Sequence, residues 1–171
     1  MTNCDVEGIG GGICQVASTL YYCTLKADLE VVERAEHQYV PDYVPWGMDA
    51  TIYWGYIDYQ FRNNTGFPIR IETYVSDDGK YVYTTFVGTD TKEYTVELDY
   101  EVTSKNPCTT KTFYIYPEMA NYDKYQNYYE GQTVTFGYDG ANVTTYMYKY
   151  DKSGKLISTE IVCYSKYDRR D

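Results

Sequence analysis

Apolar residues near the start of the chain predict one short helix. Within residues 15–28 they recur at the three- and four-residue intervals of a single helix face: Val16, Leu20, Cys23 and Ala27. Polar Ser18 and Thr19 are tolerated in a short amphipathic helix of this kind. Residues 29–34 then alternate between polar and apolar side chains and are expected to form a strand.

Alternation with a period of two predicts further strands after residue 50. Residues 50–62 alternate and end at a turn over 63–66, and a second strand is expected over residues 68–75. A second turn, Asp77-Asp78-Gly79, leads into a third strand over residues 80–88. These segments predict a three-stranded meander.

The rest of the chain is expected to be nearly all β. A strand is predicted over residues 94–102, followed by an irregular connection over residues 106–131 that is rich in turn residues. Two further alternating segments flank Ser153-Gly154 and predict a hairpin that turns at this pair.

Together these patterns predict an α+β chain of two small domains. Residues 1–90 would form a mixed domain, with the short helix following a glycine-rich turn and packing on an antiparallel sheet. Residues 91–171 would form a mostly β module, and the polar stretch at residues 89–93 marks the boundary.

Composition narrows the classes of partner. The 25 acidic and 15 basic residues give a net charge of −10, which argues against nucleic acid and anionic membranes, because phosphates require a basic surface. No stretch approaches the roughly 20 apolar residues of a membrane span, and the first residues do not form an export signal. The 24 tyrosines fit sheets with one solvated face and would also suit contact with sugar rings.

The segment before the helix carries the most unusual chemistry. Glycine occupies four of the five positions from 8 to 12, directly before Ile13-Cys14-Gln15. The turn lacks the Lys-Ser/Thr pair of a phosphate-binding P-loop. At a helix N-terminus, unpaired backbone amides would stabilise a Cys14 thiolate and could also receive the oxyanion of an attacked carbonyl.

A cysteine nucleophile also needs a base, and His37 is the sole histidine of the chain. A buried structural thiol is the other interpretation of Cys14, and the residues alone leave the two about equal. A metal site built from Cys4, Cys14, Cys23 and His37 has no standard ligand spacing. We therefore expect neither a metal nor another cofactor.

From about Gly8 to Ile71 the sequence closely resembles the VanW domain family of bacterial cell-envelope proteins. The resemblance is carried by short blocks in a fixed order: Gly10-Gly11-Gly12-Ile13-Cys14-Gln15, Ser18-Thr19-Leu20-Tyr21, Glu33-Arg34, His37, Tyr43-Val44-Pro45, Gly47, Asp49-Ala50-Thr51 and Asn63-Asn64-Thr65. Family domains normally include further sequence before the glycine block, so residues 1–90 are expected to be an incomplete domain. Where members usually carry an arginine, this chain has Met48.

The resemblance implies an L,D-transpeptidase that forms 3-3 peptidoglycan cross-links through a cysteine. In that case Cys14 would be the nucleophile, His37 the base and Asp49 the residue that orients His37. A role for Asp49 in capping a turn is equally open. Gly11, Gly12, Gln15 and Ser18 would line the substrate pocket, although Ser18 also fits a helix-face hydroxyl.

The same resemblance implies the partners and the location. Peptidoglycan stem peptides, and wall glycan as a second ligand, would be bound outside the cytoplasm, in the cell wall or anchored to the membrane. The C-terminal part is similar to the small β module called the G-five domain, within which Cys108 and Cys163 could pair or remain thiols. The alternative to an enzyme is a peptidoglycan-binding or structural envelope protein in which Cys14 is structural.

Overall fold

The computed structural model describes residues 11–109, 111–114, 131 and 133–170. These residues form one α-helix and nine β-strands: α1 (Ile13–Lys26), β1 (Glu30–Glu33), β2 (Gln60–Arg62), β3 (Ile69–Val75), β4 (Val82–Gly88), β5 (Tyr94–Asn106), β6 (Lys111–Tyr114), β7 (Thr133–Phe136), β8 (Gly140–Asp151) and β9 (Leu156–Tyr167). The predicted α+β class is confirmed.

Helix α1 begins directly after Gly12, whose φ of 88° lies in the left-handed region that glycine adopts readily. Its buried face consists of Ala17, Ser18, Tyr21, Thr24 and Leu25. The predicted face is therefore wrong by about one position. Ser18 can be buried because its hydroxyl exchanges hydrogen bonds with the backbone of Ala50, donating to the carbonyl at 3.2 Å and accepting from the N–H at 3.0 Å.

The largest sheet has the antiparallel order β5-β8-β9. Its β8–β9 connection confirms the predicted hairpin: the N–H of Asp151 donates to the carbonyl of Lys155 at 2.9 Å, and Gly154 has a φ of 81°. Helix α1 packs on this sheet through one buried cluster: Ala17, Tyr21, Leu25, Ala50, Val96 and Met147.

The predicted three-stranded meander is wrong. Strand β2 pairs with β1, while β3 pairs with β4 in a separate antiparallel hairpin. Residues 53–57 form a turn in place of the predicted strand, because Gly55 has a φ of 81° and the N–H groups of Tyr56 and Ile57 both donate to the Tyr53 carbonyl at 2.9 Å.

The predicted irregular connection contains a strand, since β6 pairs with β7. Residues 115–130 of that connection lie outside the described residues. The predicted boundary at residue 90 stays a prediction, and the cluster under α1 joins side chains from both sides of it, such as Ala17 and Met147.

Candidate functional site

Asp49 is the centre of a buried hydrogen-bond network. Its side chain is fully buried, and its two carboxylate oxygens accept from three residues. Oδ1 accepts from the guanidinium of Arg34 at 2.9 Å and from the hydroxyl of Tyr167 at 2.5 Å. Oδ2 accepts from His37. Burial alone would raise the pKa of Asp49, but the His37 hydrogen bonds, the charge of Arg34 and the Tyr167 hydroxyl together lower it.

Arg34 is fixed on several sides. Nε donates to the carbonyl oxygen of Asp49 at 2.7 Å, and a terminal nitrogen donates to the hydroxyl of Ser165 at 2.9 Å. The guanidinium also lies 5.3 Å from the ring centre of Tyr21, a distance that allows a cation–π interaction. The buried charge of Asp49 is therefore compensated by a cation that has little freedom to move.

His37 is held against Asp49 by two hydrogen bonds to the same oxygen. Its backbone N–H donates to Oδ2 at 2.8 Å, and its ring Nδ1 lies 2.7 Å from that atom. Because a carboxylate only accepts, this contact assigns the ring proton to Nδ1. Nε2 then carries the lone pair, and the hydroxyl of Tyr43 lies 3.1 Å from it. The contacts at both ring nitrogens therefore fix the orientation of His37, with Nε2 facing Tyr43.

Cys14 lies in the first turn of α1 and contacts the backbone of Ile52. The N–H of Ile52 donates to Sγ at 3.4 Å, and Sγ lies 3.5 Å from the Ile52 carbonyl oxygen. Among the described residues, no hydrogen bond joins Sγ to the ring of His37. The structure thus brings His37 and Asp49 into direct contact, whereas it leaves Cys14 outside that pair.

Tyr43 is the side chain that faces Nε2 of His37. It is 38% exposed, and its hydroxyl lies 3.1 Å from Nε2 of His37. Burial of the hydroxyl is the main cause that raises the pKa of Tyr43 to about 12, so the phenol stays protonated at neutral pH. Sequence reasoning noted Tyr43 only as part of a family block and gave it no role.

The other predicted substrate residues take different positions. Gly11 and Gly12 are exposed at the start of the helix. Gln15 is half-buried, and its backbone carbonyl accepts from the hydroxyl of Thr19 at 2.8 Å. Ser18 is fully buried and ties α1 to Ala50. Met48, which stands where the family usually has arginine, is also buried.

An open groove of about 680 Å³ runs beside the start of α1. Ile13 and Val16 form its helix side, and Ile52, whose backbone contacts Cys14, forms part of the opposite side. Trp54 and Tyr56 of the 53–57 turn stand at its rim. Sequence reasoning missed this groove because it read the turn as a strand.

Arg34, Ser165 and Tyr167 were also given no role from the sequence. Arg34 belongs to one of the family blocks, which is a weak signal, but Ser165 and Tyr167 lie on β9 and carry no local motif.

Cys163 of the same strand is a thiol that accepts from the Tyr21 hydroxyl at 3.6 Å, and Cys108 is likewise a thiol.

Fold and geometry together define a small α+β protein with a cysteine in the first turn of its helix and a histidine that is held by a buried aspartate. The family model described as "VanW like protein" matches residues 1–86, half of the 171 residues, and the chain belongs to this family. Membership of the family indicates a cell-envelope protein. The likeness of residues 91–171 to a G-five module lies beyond this match and stays a prediction.

One curated relative is described as "Uncharacterized protein YoaR" from Bacillus subtilis (strain 168). It is 49% identical to this chain over 65 residues, which cover 38% of this chain and 22% of that protein. The chain therefore matches about a fifth of the length of that relative. No solved structure gives a significant match. In the part of the chain that the structure describes, no helix has the length and apolar character needed to cross a membrane.

Proposed function

We propose that the chain is a cysteine acyltransferase that acts outside the cytoplasmic membrane, as an L,D-transpeptidase on peptidoglycan stem peptides. The observation that supports it best is the orientation of His37. Buried Asp49 accepts from Nδ1 at 2.7 Å, so the lone pair of Nε2 faces the Tyr43 hydroxyl. A histidine oriented in this way is the base that a thiol nucleophile requires.

In the first half of the reaction, Cys14 attacks the carbonyl carbon of the L,D-peptide bond in a donor stem. The C–N bond breaks, the acyl group remains on Sγ as a thioester, and the terminal D-residue leaves as an amine. The proton of the thiol passes to His37 and is then given to the leaving amine. Backbone amides in the first turn of α1 would stabilise the oxyanion.

In the second half, the amine of an acceptor stem attacks the thioester carbonyl. The new C–N bond forms, the C–S bond breaks, and one amine proton returns to Sγ through His37. Attack by water in place of the amine would give a shortened stem with a free carboxylate. The same residues thus serve cross-linking and trimming.

Tyr43 provides the route for the proton. Its hydroxyl donates to Nε2 of His37 at 3.1 Å. In the proposed reaction the hydroxyl oxygen would accept the thiol proton of Cys14 as its own proton passes to Nε2. This relay accounts for a base that makes no direct hydrogen bond to Cys14 among the described residues. Asp49 balances the positive charge that forms on His37.

The experiment uses a synthetic stem peptide that ends in an L,D bond to a D-residue. The wild-type chain should release the D-residue and accumulate an acyl adduct on Cys14, both measured by mass spectrometry. C14S should form no thioester, and H37A should form it at least about 100-fold more slowly. Failure of the wild-type chain to form any adduct would contradict the proposal.

Alkylation of Cys14 by iodoacetamide from pH 5 to 9 gives a second readout. H37A should slow alkylation and change its pH profile. Cys23 is an internal control, because its thiol donates to the Thr84 carbonyl at 3.1 Å and burial raises its pKa. Alkylation of Cys23 should not respond to H37A. A slow Cys14 that is unaffected by H37A would indicate a structural thiol.

A second function is favoured by the contacts of Cys14 itself. Both backbone groups of Ile52 engage Sγ, as expected for a structural thiol, and Trp54 and Tyr56 are exposed beside it. A non-catalytic peptidoglycan-binding protein would use these rings on wall glycan. Sedimentation with purified peptidoglycan, unchanged in C14S and H37A in the absence of any acyl adduct, would support this function.

A further inference from the structure

Strand β3 has a free edge. In the part of the chain that the structure describes, β3 and β4 form a sheet of only two strands, and every β3 residue after Ile69 is exposed. The outer edge of β4 contacts α1, since the thiol of Cys23 donates to the carbonyl of Thr84 at 3.1 Å. A hairpin of two strands is marginally stable by itself, and an exposed strand edge can pair with a strand of another chain. The edge of β3 is therefore the place where this sheet can grow.

The hydrogen bonds of the hairpin identify the backbone groups that point outwards from this edge. The N–H of Ser76 donates to the carbonyl of Tyr81 at 2.9 Å, which makes these two residues a hydrogen-bonded pair. Such pairs alternate with non-hydrogen-bonded pairs along an antiparallel ladder. Counted from Ser76 along the observed register, the N–H and C=O groups of Ile69, Ile71 and Thr73 point away from β4.

The side chains along this edge carry opposite charges at alternate positions. Arg70 and Glu72 lie on one face of β3, where the guanidinium is 2.9 Å from the carboxylate, and their side chains are 71% and 48% exposed. Ile71 lies between them on the other face and is 47% exposed. A short strand with this pattern is complementary to a second copy of itself that runs in the opposite direction.

The charges select one antiparallel register over its neighbours. With Ile71 opposite Ile71 of a second copy, each Arg70 faces Glu72 of the other chain. A shift of the two-fold axis by one residue would place Arg70 opposite Arg70, or Glu72 opposite Glu72, and like charges directly opposite each other destabilise a sheet. The register centred on Ile71 also brings the outward backbone groups of Ile69 to those of Thr73, as a hydrogen-bonded ladder requires.

We propose that β3 pairs edge to edge with β3 of a second copy of this chain, about a two-fold axis at Ile71. The two hairpins then form one four-stranded sheet in the order β4-β3-β3-β4, and the two exposed Arg70–Glu72 pairs become a network of four charges. In the same register Val75, 58% exposed, comes opposite Phe67 of the other copy, 42% exposed. This interface goes beyond the proposed function and does not depend on it.

A second copy is favoured over a different protein because the edge complements its own charges. Edge strands that remain single commonly carry lysine, proline or inward-pointing charges that oppose pairing. The interface is nevertheless small, because one pair of short strands buries less than the roughly 1,200 Å² of a typical stable complex. We therefore expect a weak dimer with a Kd of about 10–100 µM.

Sedimentation velocity of the full chain, with a reductant to keep the cysteines as thiols, measures the association. Between about 5 µM and about 1 mM the average mass should rise from 19.9 kDa towards twice that value. A chain that remains monomeric over this whole range would overturn the proposal.

Charge reversal tests the register. R70E and E72R each place like charges opposite one another at both Arg70–Glu72 positions, and each should weaken dimerisation about 10- to 30-fold. The exchange R70E/E72R should restore dimerisation. An equimolar mixture of the R70E chain and the E72R chain should form a heterodimer, because every glutamate then faces an arginine.

The matched controls are R62E and E30R, which make the same charge changes in the exposed Arg62–Glu30 ion pair of β1 and β2. Both controls should dimerise as the wild type does, and urea unfolding confirms that all variants are folded. Equal dimerisation by R70E and R62E, or failure of R70E/E72R to recover, would overturn the pairing of β3 with itself.

Amide hydrogen exchange locates the interface. Raising the protein concentration should slow exchange at the N–H groups of Ile71 and Thr73, which point outwards and become bonded only in the dimer. The N–H groups of Arg70 and Glu72 already face β4 and should exchange slowly at every concentration. A dimer in which Ile71 and Thr73 gain no protection would use another surface, such as the turn that carries Trp54, and would also overturn the proposal.

Discussion

The hydroxyl of Tyr167, at the end of β9, donates a hydrogen bond of 2.5 Å to Oδ1 of Asp49. The same hydroxyl accepts from the N–H of Gly47 at 2.8 Å. The Tyr167 side chain therefore connects β9 with the loop that carries Gly47 and Asp49. Burial and the neighbouring Asp49 charge raise the pKa of Tyr167, which keeps the hydroxyl protonated as a donor.

Replacement of Tyr167 by phenylalanine should destabilise the protein by about 1.5–3 kcal/mol, because a buried carboxylate loses a donor. The free energy of unfolding in urea measures this loss. Y164F is the matched control on the same strand, since Tyr164 is 72% exposed and should change stability by less than about 0.5 kcal/mol. Equal stability of Y167F and Y164F would contradict the structural role of the bond.

Stability should depend on pH through Asp49. Its pKa is lower in the folded chain than the usual value of about 3.9, so its contribution is fully present above about pH 4 and is lost as the pH falls through the folded pKa. At pH 7, D49N should cost roughly 3–5 kcal/mol, because buried Arg34 loses the Asp49 carboxylate at 2.9 Å and keeps the more distant, partly exposed carboxylate of Glu36 at 3.5 Å.

Urea unfolding of wild type and D49N at pH 7, 5, 4 and 3 tests whether the contribution of Asp49 to stability is lost as the pH falls. The difference between the two should shrink as the pH falls below about 4. D42N is the control, since Asp42 is an exposed carboxylate on the same loop. If the difference in unfolding free energy between wild type and D49N grows as the pH falls, the lowered pKa of Asp49 is contradicted.

Gly47 should tolerate no side chain. It has a φ of 77°, and an added Cβ would lie 2.1 Å from Oγ1 of Thr145. Positive φ costs about 1–3 kcal/mol for an alanine, and the steric overlap adds about 1–3 kcal/mol. Gly154 has a φ of 81° but no atom within 4 Å of an added Cβ. G154A therefore measures the cost of the positive φ without a steric overlap. Thermal or urea unfolding should show G47A as clearly the less stable variant.

Tyr43 should be needed for proton transfer. Y43F retains the ring but removes the hydroxyl that contacts Nε2 of His37, and D-residue release should fall roughly 100-fold. Iodoacetamide alkylation should fall at Cys14 and not at Cys23. Y81F is the control, because Tyr81 is an exposed residue directly before β4, in the β3–β4 hairpin. A faster Cys14 in Y43F would mean that the hydroxyl blocks the base and does not relay its proton.

Local sequence predicted those elements whose signals are local. The glycine run before Ile13 marks the helix start because Gly12 must adopt a positive φ, and Ser153-Gly154 marks the β8–β9 turn for the same reason. The turn at residues 53–57 was not predicted because its aromatic residues are of the type that favours strands. Strand β2 was given the wrong partner, since pairing depends on contacts distant in sequence.

The candidate site was predictable only in part. Cys14 and His37 could be named because the chain has one glycine-rich helix start and one histidine. The support of Asp49 could not be predicted, because Tyr167 is 118 residues away and carries no motif. The groove also depends on the unpredicted 53–57 turn.

Because Tyr167 follows Asp49 by 118 residues, the hydrogen bond between them can form only late in the synthesis of the chain. A ribosome releases Arg34, His37 and Asp49 long before β9, so these polar groups remain hydrated until the hairpin of β8 and β9 has emerged and closed over them. Domains rich in contacts that are distant in sequence fold more slowly than domains rich in local contacts. Translation must pass residue 167 before the Asp49 carboxylate can acquire the hydrogen bond from the Tyr167 hydroxyl.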